Sequence, residues 1–268
     1  MKKLWIAIVA LAVATVACQN KQTAANETEN AADTTAWYEN DSLLQADLAA
    51  AIEDAKQLDA SKISNDLMPI KKGTPGEEWV TIDGKDMVLV MTLVDSSRLA
   101  RFFGQEGVYR IDRELGSWVS IPGDWARKKD AFVGLDSVAA HMRMIQMYGL
   151  SPDCDYNIMV QFYADPAYIF RPAHTPDITT TAAGLEFPAY ADEKYKVGET
   201  NFREWYRLSV ASAFEDDSPL PWTQLGYTYD WHHGANRVGV SEYIVTHQSL
   251  VKVKSHESEW QFIQSLNK

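Results

Sequence analysis

The sequence predicts an α+β fold with a mainly antiparallel or mixed sheet and two or three amphipathic helices. Segments with helical hydrophobic spacing are interspersed among β-rich runs, and the last three runs are joined by connections of hairpin length. A Gly/Pro-rich break at residues 71–78 separates a helical N-terminal segment, residues 37–70, from an α+β globular domain at residues 76–268. A domain of that length buries a full core of its own.

The helices are predicted from apolar spacing and from capping residues. Leu44, Leu48 and Ile52 recur at near-helical intervals behind Asp41 and Ser42, which are good N-caps. This pattern predicts one amphipathic helix packed on the main domain. Two further helices are predicted at residues 138–148, behind Asp136 or Ser137 and ending at Gly149, and at residues 202–213, behind the capping pair Asn201 and Glu204.

The strands are predicted from β-rich runs bounded by turn residues. Residues 79–82 and 87–94 are separated by Asp83-Gly84-Lys85, which is a hairpin signal. The second of these runs is apolar at both alternating faces, so it is expected to be a central strand. Further strands are predicted at residues 157–164, 223–231, 238–245 and 250–255.

The N-terminus has the layout of a secretory signal. Two lysines precede an uninterrupted apolar run at residues 4–16, which is too short to span a bilayer, and the small residue Ala17 precedes Cys18. This layout resembles bacterial lipoprotein signals, in which the cysteine after the cleavage site receives the lipid. The resemblance implies a signal sequence at residues 1–17, lipid attachment at Cys18 and anchoring to the outer membrane, facing the periplasm or the cell surface. Ordinary secretion, with Cys18 removed or free, is the alternative.

Composition narrows the class of partner. Residues 18–36 are polar and lack large aliphatic and aromatic side chains, which is typical of a disordered tether. The chain carries 25 basic and 37 acidic residues, a formal net charge of −12, and shows no basic patch, which argues against binding to nucleic acid. The expected partners are therefore the membrane, through the lipid on Cys18, and an unknown small ligand or envelope protein. No cofactor is predicted, because the sequence lacks phosphate-cradling and dinucleotide-binding motifs.

The most distinctive segment is residues 219–245, PLPWTQLGYTYDWHHGANRVGVSEYIV. Together with the apolar run 87–94, residues 168–172 and Asp177, it resembles an uncharacterised group of bacterial envelope proteins that share a PWTxLGYTYDW and GxSE pairing. The resemblance spans residues 79–255. It implies a relationship but no particular activity.

Three aromatic residues of this segment, Tyr227, Tyr229 and Trp231, alternate with small or polar residues, so a strand would place them on one face. That face is expected to lie in the core. The alternative is an aromatic platform beside Asp230 that stacks a sugar or another flat ligand, with Tyr229 and Trp231 as ligand-binding residues. Arg171 is a further ligand-binding candidate, because a guanidinium can clamp an anion bidentately. Equally, it could pair with Asp177 and fix a loop.

The candidate catalytic residues are Asp230, His232 and Glu242, which could form the polar centre of a metal-assisted hydrolase. Since residues 232 and 233 of a strand point to opposite faces, at most one histidine would join Asp230, and no metal site is predicted. The Ser241-Glu242 pair also resembles the catalytic-glutamate strand of mono-ADP-ribosyltransferases. That resemblance implies a glutamate that stabilises a forming ribosyl cation.

Three functional classes follow. The first is an envelope lipoprotein that binds a ligand or a protein through the surface around residues 168–177 and 222–242. The second is an enzyme, in which Asp230, His232 and Glu242 would converge in one pocket. The third is a structural component of an envelope assembly, which would expose an apolar patch rather than a cleft.

Overall fold

The computed structural model describes residues 35–114, 116–215 and 217–267. Within these ranges the chain forms seven α-helices and twelve β-strands, and all paired strands are antiparallel. The predicted α+β fold class is thereby confirmed. The predicted signal sequence, Cys18 and all but the last two residues of the predicted tether lie outside the described residues. In the described ranges, no helix combines the length and the apolar character needed to cross a membrane.

Helices and strands alternate along the described chain rather than forming two blocks. The helices are α1 (Asp41–Ala55), α2 (Ser96–Phe103), α3 (Pro122–Arg127), α4 (Ser137–Tyr148), α5 (Ala191–Lys194), α6 (Phe202–Glu215) and α7 (Glu259–Ser265). The strands are β1 (Trp79–Ile82), β2 (Lys85–Val94), β3 (Tyr109–Arg110), β4 (Ser117–Val119), β5 (Ile158–Ala164), β6 (Ile169–Phe170), β7 (Lys196–Val197), β8 (Thr200–Asn201), β9 (Tyr227–Asp230), β10 (Arg237–Ser241), β11 (Tyr243–Val245) and β12 (Leu250–Ser258).

The largest described sheet has five strands in the order β1-β2-β5-β12-β3. Its first hairpin turns at Asp83 and Gly84, which both have positive φ, of 49° and 77°. A two-residue turn of this kind matches the twist of the flanking strands, as the Asp-Gly signal predicts. Strand β2 is internal to the sheet and its last eight residues are all buried, so the predicted central strand is confirmed.

The C-terminal strands are distributed differently from the predicted succession of hairpins. The predicted strand at residues 238–245 is divided in two, because β10 ends at Ser241, β11 begins at Tyr243, and Glu242 lies between them. Strand β10 pairs with β9, whereas β11 joins a separate sheet of order β4-β11-β6, and β12 belongs to the five-stranded sheet. The chain therefore passes from one sheet to another at Glu242.

The ends of the helices follow local signals. Helix α1 is capped by Asn40, whose Oδ1 accepts a hydrogen bond from the Leu43 N–H at 3.1 Å, rather than by Asp41 or Ser42, which already lie within the helix. Helix α4 ends at Gly149, which adopts a left-handed conformation with φ of 69°. This is the helix stop that the sequence predicts.

The N-terminal helical segment contributes to the main core. Leu44, Leu48 and Ile52 of α1 are buried in one cluster with Trp125 and with Met144 of α4. Residues on both sides of the Gly/Pro-rich break at 71–78 accordingly belong to one compact unit, which begins at Ala36. Burial of α1 leaves its polar side facing the β9–β10 connection.

Candidate functional site

A cleft of about 1040 Å³ borders Glu242, at the point where the chain changes sheets. Its wall includes three tryptophans that come from distant parts of the chain: Trp118 of β4, Trp205 of α6, and Trp222 before β9. The ring centroid of Trp118 lies 5.9 Å from that of Trp222 and 6.4 Å from that of Trp205. Trp118 is 39% exposed, whereas the other two rings are buried. Trp118 therefore presents an aromatic surface to the cleft and is supported by the two buried rings.

Glu242 lies in the wall of the same cleft and is 5% exposed. Its Oε1 accepts a hydrogen bond from the Trp222 Nε1–H at 3.1 Å, which is the one hydrogen bond that its carboxyl group makes with a described residue. Burial raises the pKa of the Glu242 carboxyl group to about 8, and the hydrogen bond from Trp222 opposes that rise. At neutral pH this group is therefore mostly protonated, and it can donate as well as accept a hydrogen bond.

The orientation of Glu242 follows from the alternation of side chains along an extended chain. Its two neighbours both bind Met68: the Met68 N–H donates to Ser241 Oγ at 2.7 Å, and the Tyr243 hydroxyl donates to the Met68 carbonyl oxygen. The side chain between them therefore points the opposite way, into the cleft. The Glu242 N–H donates to the Gly226 carbonyl oxygen at 3.1 Å, which fixes the backbone at this position.

Two glycines of the distinctive segment allow close packing around this position. Gly226 has a φ of 79°, and a Cβ there would lie 2.3 Å from Cδ of Arg171. A Cβ at Gly239 would lie 2.3 Å from Oγ1 of Thr228, the β9 residue whose hydroxyl donates to the Met147 carbonyl oxygen at 2.6 Å. The glycines of the two motifs thus serve the packing that positions Glu242.

Arg171 is fully buried and fixes a loop. Its guanidinium donates to Oγ1 of Thr180 at 2.8 Å, to the Thr180 carbonyl oxygen at 2.7 Å, and to the Tyr243 hydroxyl at 3.5 Å. The Asp177 carboxylate instead accepts hydrogen bonds from Thr179. The alternative Arg171–Asp177 pair is therefore not formed, because Thr180 takes that place, and Arg171 does not line the cleft.

Asp230 forms a buried ion pair with Arg143. The two guanidinium nitrogens donate to Oδ1 at 2.8 Å and to Oδ2 at 2.6 Å, and the two side chains are 8% and 7% exposed. Sequence reasoning missed Arg143, although its position carries a signal. It lies four residues after Ala139 and three before Gln146, on the buried face of α4, where an arginine requires an anionic partner.

His232 and His233 are engaged in local contacts beside a second cavity of about 330 Å³. His232 Nδ1 donates to the His233 carbonyl oxygen at 2.8 Å, and its ring packs edge-on against Trp37 with centroids 4.9 Å apart. His233 Nδ1 donates to Oδ1 of Asp47 at 3.2 Å. Among the residues that the structure describes, no group of three or more His, Cys, Asp and Glu side chains is arranged to hold a metal ion.

The aromatic face of residues 227–231, which comprise β9 and the residue after it, lies mainly in the core, as expected. Tyr227 and Trp231 are buried, and the Trp231 Nε1–H donates to the Leu150 carbonyl oxygen at 2.9 Å. Tyr229 is half-buried, lines both cavities, and donates from its hydroxyl to Oδ2 of Asp54 at 2.9 Å. Of the two predicted platform residues, only Tyr229 reaches the cleft.

The predicted polar centre is thus divided between two cavities. Glu242 lines the large cleft, whereas Asp230 and His232 line the small one. The three cleft tryptophans were not singled out from the sequence, because nothing in their spacing shows that they meet. The amino-acid sequence could only indicate Glu242 by its residue type and its place in a strand.

Comparison with protein-family models, with curated proteins and with solved structures finds no match for this chain. The resemblance to the group of bacterial envelope proteins therefore stays a prediction.

Proposed function

We propose that the protein is a cell-envelope lipoprotein whose folded part binds a small ligand in the tryptophan-lined cleft. The observation that carries this proposal is the cleft itself, in which the exposed ring of Trp118 and the buried acid Glu242 share one wall. Its volume of about 1040 Å³ is that of a small-molecule site, and its mixture of aromatic surface with a few polar groups is typical of one. A pyranose sugar fits this chemistry, since its ring face stacks on indole and its hydroxyls exchange hydrogen bonds with a carboxyl group.

Binding is favoured over catalysis by the way the polar residues are partnered. An enzyme built on Asp230, His232 and Glu242 requires these side chains in one pocket, and the structure sets them in two. Asp230 is neutralised by Arg143. A structural component would instead need a broad apolar surface, whereas two of the exposed large apolar side chains, Trp118 and Leu208, line the cleft and the others described lie outside it.

The ligand site is tested by Trp118→Ala. Nuclear magnetic resonance (NMR) titrations with a panel of neutral pyranose sugars and their N-acetylated forms would follow the indole N–H signals of the tryptophans. We expect at least one sugar to shift these signals saturably, and Trp118→Ala to weaken its binding by about tenfold or more, because stacking surface is lost. Tyr190→Ala is the matched control, since Tyr190 is similarly exposed at 41% and lies outside the cleft. Equal affinity of Trp118→Ala and wild type would exclude this site.

The lipid anchor is a separate part of the proposal. It is supported by the two basic residues, the apolar run at residues 4–16 and the Ala17-Cys18 junction. We expect cells that express the full chain to incorporate labelled palmitate into the wild type and not into Cys18→Ser. A wild-type protein that is secreted, processed and unlabelled would support ordinary secretion instead.

A further inference from the structure

One end of the cleft carries two arginines. Arg98 of α2 and Arg113, which follows β3, both line it. The Arg98 guanidinium stacks on Tyr156, 4.6 Å from the ring centroid, and forms an ion pair with Asp95. The Asp95 carboxylate also accepts hydrogen bonds from the Ser97 hydroxyl and from the Arg98 backbone N–H. Its negative charge is therefore already compensated by these local partners.

Arg113 is placed without a compensating anion. Its guanidinium lies 5.2 Å from the ring centroid of Phe102, and within the described ranges it forms no ion pair and donates no hydrogen bond. Burial lowers the pKa of Arg113, Tyr156 opposes that change, and the nearby positive charge of Arg98 adds to it, so the two like charges disfavour each other. Glu114 also lines the cleft but does not pair with Arg113 among the described residues.

We propose that Arg113, assisted by Arg98, forms an oxyanion subsite at this end of the cleft and binds a carboxylate or phosphate group of the ligand. A guanidinium fork matches both groups, and its charge-assisted hydrogen bonds are stronger than neutral ones. A bound oxyanion also relieves the repulsion between the two arginines. This inference rests on the proposed function and narrows it: the ligand of the cleft is a ring-bearing acid, such as a sugar acid or a sugar phosphate.

The chain offers a matched control in Arg101. Its guanidinium also packs on Phe102, 5.0 Å from the ring centroid, but Arg101 does not line the cleft. Replacing Arg101 or Arg113 by glutamine therefore removes the same charge and the same kind of stacking contact. Only the Arg113 change removes a guanidinium from the cleft.

The test is an NMR titration of the folded protein with inorganic phosphate and, separately, with acetate, at ionic strength held constant with sodium chloride. For wild type we expect saturable shifts of the Arg98 and Arg113 side-chain N–H signals with one or both anions, and the two titrations show which oxyanion is preferred. Arg113→Gln should weaken binding by about tenfold or more, since hydrogen bonds to a charged group are lost. Arg101→Gln should stay within about twofold of wild type, and Glu114→Gln should bind the anion about twofold more tightly because a nearby negative charge is gone.

Anion shifts that are not saturable in wild type, or an Arg113→Gln variant that binds both anions like wild type, would overturn the subsite. Should Arg113→Gln fail to fold, Arg113→Lys preserves the charge without the planar fork and should still weaken binding. The Trp118→Ala variant separates this inference from the proposed function. If Trp118→Ala loses sugar binding and keeps phosphate binding, both sites are supported. If the wild type itself binds phosphate but no neutral sugar, the subsite is supported and the neutral-sugar site is excluded.

Discussion

The two cavities beside β9 contain similar residues but differ in how those residues are partnered. In the small cavity, Asp230 is bound by Arg143, and Asp54 is bound by Lys62 and by Tyr229. In the large cleft, Glu242 makes a single side-chain hydrogen bond to a described residue. A cluster of polar residues in a sequence therefore indicates a site only where the folded protein leaves some of their hydrogen-bonding groups without partners.

The two buried carboxyl groups are also accommodated by different physical means. The Asp230 carboxyl group is paired with the Arg143 guanidinium through two hydrogen bonds. Glu242 lacks a cationic partner among the described residues, and burial favours its neutral form instead. The first arrangement joins α4 to β9 through a bidentate ion pair, whereas the second leaves a hydrogen-bond donor in a cleft.

The largest effect is expected from breaking the Arg143–Asp230 pair. Arg143→Met should lower the free energy of unfolding by about 3–5 kcal/mol, because it leaves the Asp230 carboxylate buried and unpaired. Urea unfolding measures this change. Arg207→Gln is the control, since it breaks the exposed pair with Glu204 and should cost at most about 1 kcal/mol. Equal stabilities of the two variants would show that the buried pair is not a structural element.

The double variant Arg143→Met with Asp230→Asn removes the orphaned charge, so it should recover part of the lost stability relative to Arg143→Met alone. A double variant that is less stable than Arg143→Met would point to another role for the Asp230 carboxylate.

The next largest effect is expected on the pH dependence of the free energy of unfolding, through Glu242. In the unfolded chain the carboxyl group of a glutamate has a pKa of about 4.3. In the folded protein the pKa of Glu242 is raised to about 8. Between these values the folded state binds more protons, so the free energy of unfolding falls as pH rises and levels off above about pH 8.

Glu242→Gln is neutral at every pH and can still accept the hydrogen bond from Trp222. Its stability relative to wild type should therefore rise across this window, by an amount on the order of a few kcal/mol. Urea unfolding of both proteins from pH 4 to about pH 9 tests this, and a constant difference would contradict the protonated acid.

Much of the fold could be predicted where structure depends on near neighbours. The Asp83-Gly84 turn and the helix stop at Gly149 are set by residues a few positions apart, and both were found. The break at Glu242 was not predicted, because both sides of it read as strand and only pairing with distant strands separates them. Very short strands such as β4 and β6 likewise have too few residues to show a period.

The site could be predicted only in part for the same reason. Glu242 was found from its residue type, but Trp118, Trp205 and Trp222 come together through tertiary packing that no local pattern records. The partner of Asp230 lies 87 residues away along the chain. Residue types indicate which side chains could act at a site. Whether a partner neutralises such a side chain, or leaves it available, is determined by the folded structure.

The smallest effect is expected at the surface of the small cavity. The His233 ring is 77% exposed and makes one long contact, of 3.2 Å, with the partly buried Asp47 carboxylate, so His233→Ala should change the free energy of unfolding by less than about 0.5 kcal/mol. Zinc addition should leave the thermal unfolding midpoint of the wild type unchanged, because a stable zinc site needs three or four ligands converging on one point. In the described part of the chain these histidines bond to a carbonyl oxygen and to a single aspartate instead. A zinc-dependent rise that His233→Ala abolishes would assign to the small cavity the ligand-binding role that the comparison gives to the large one.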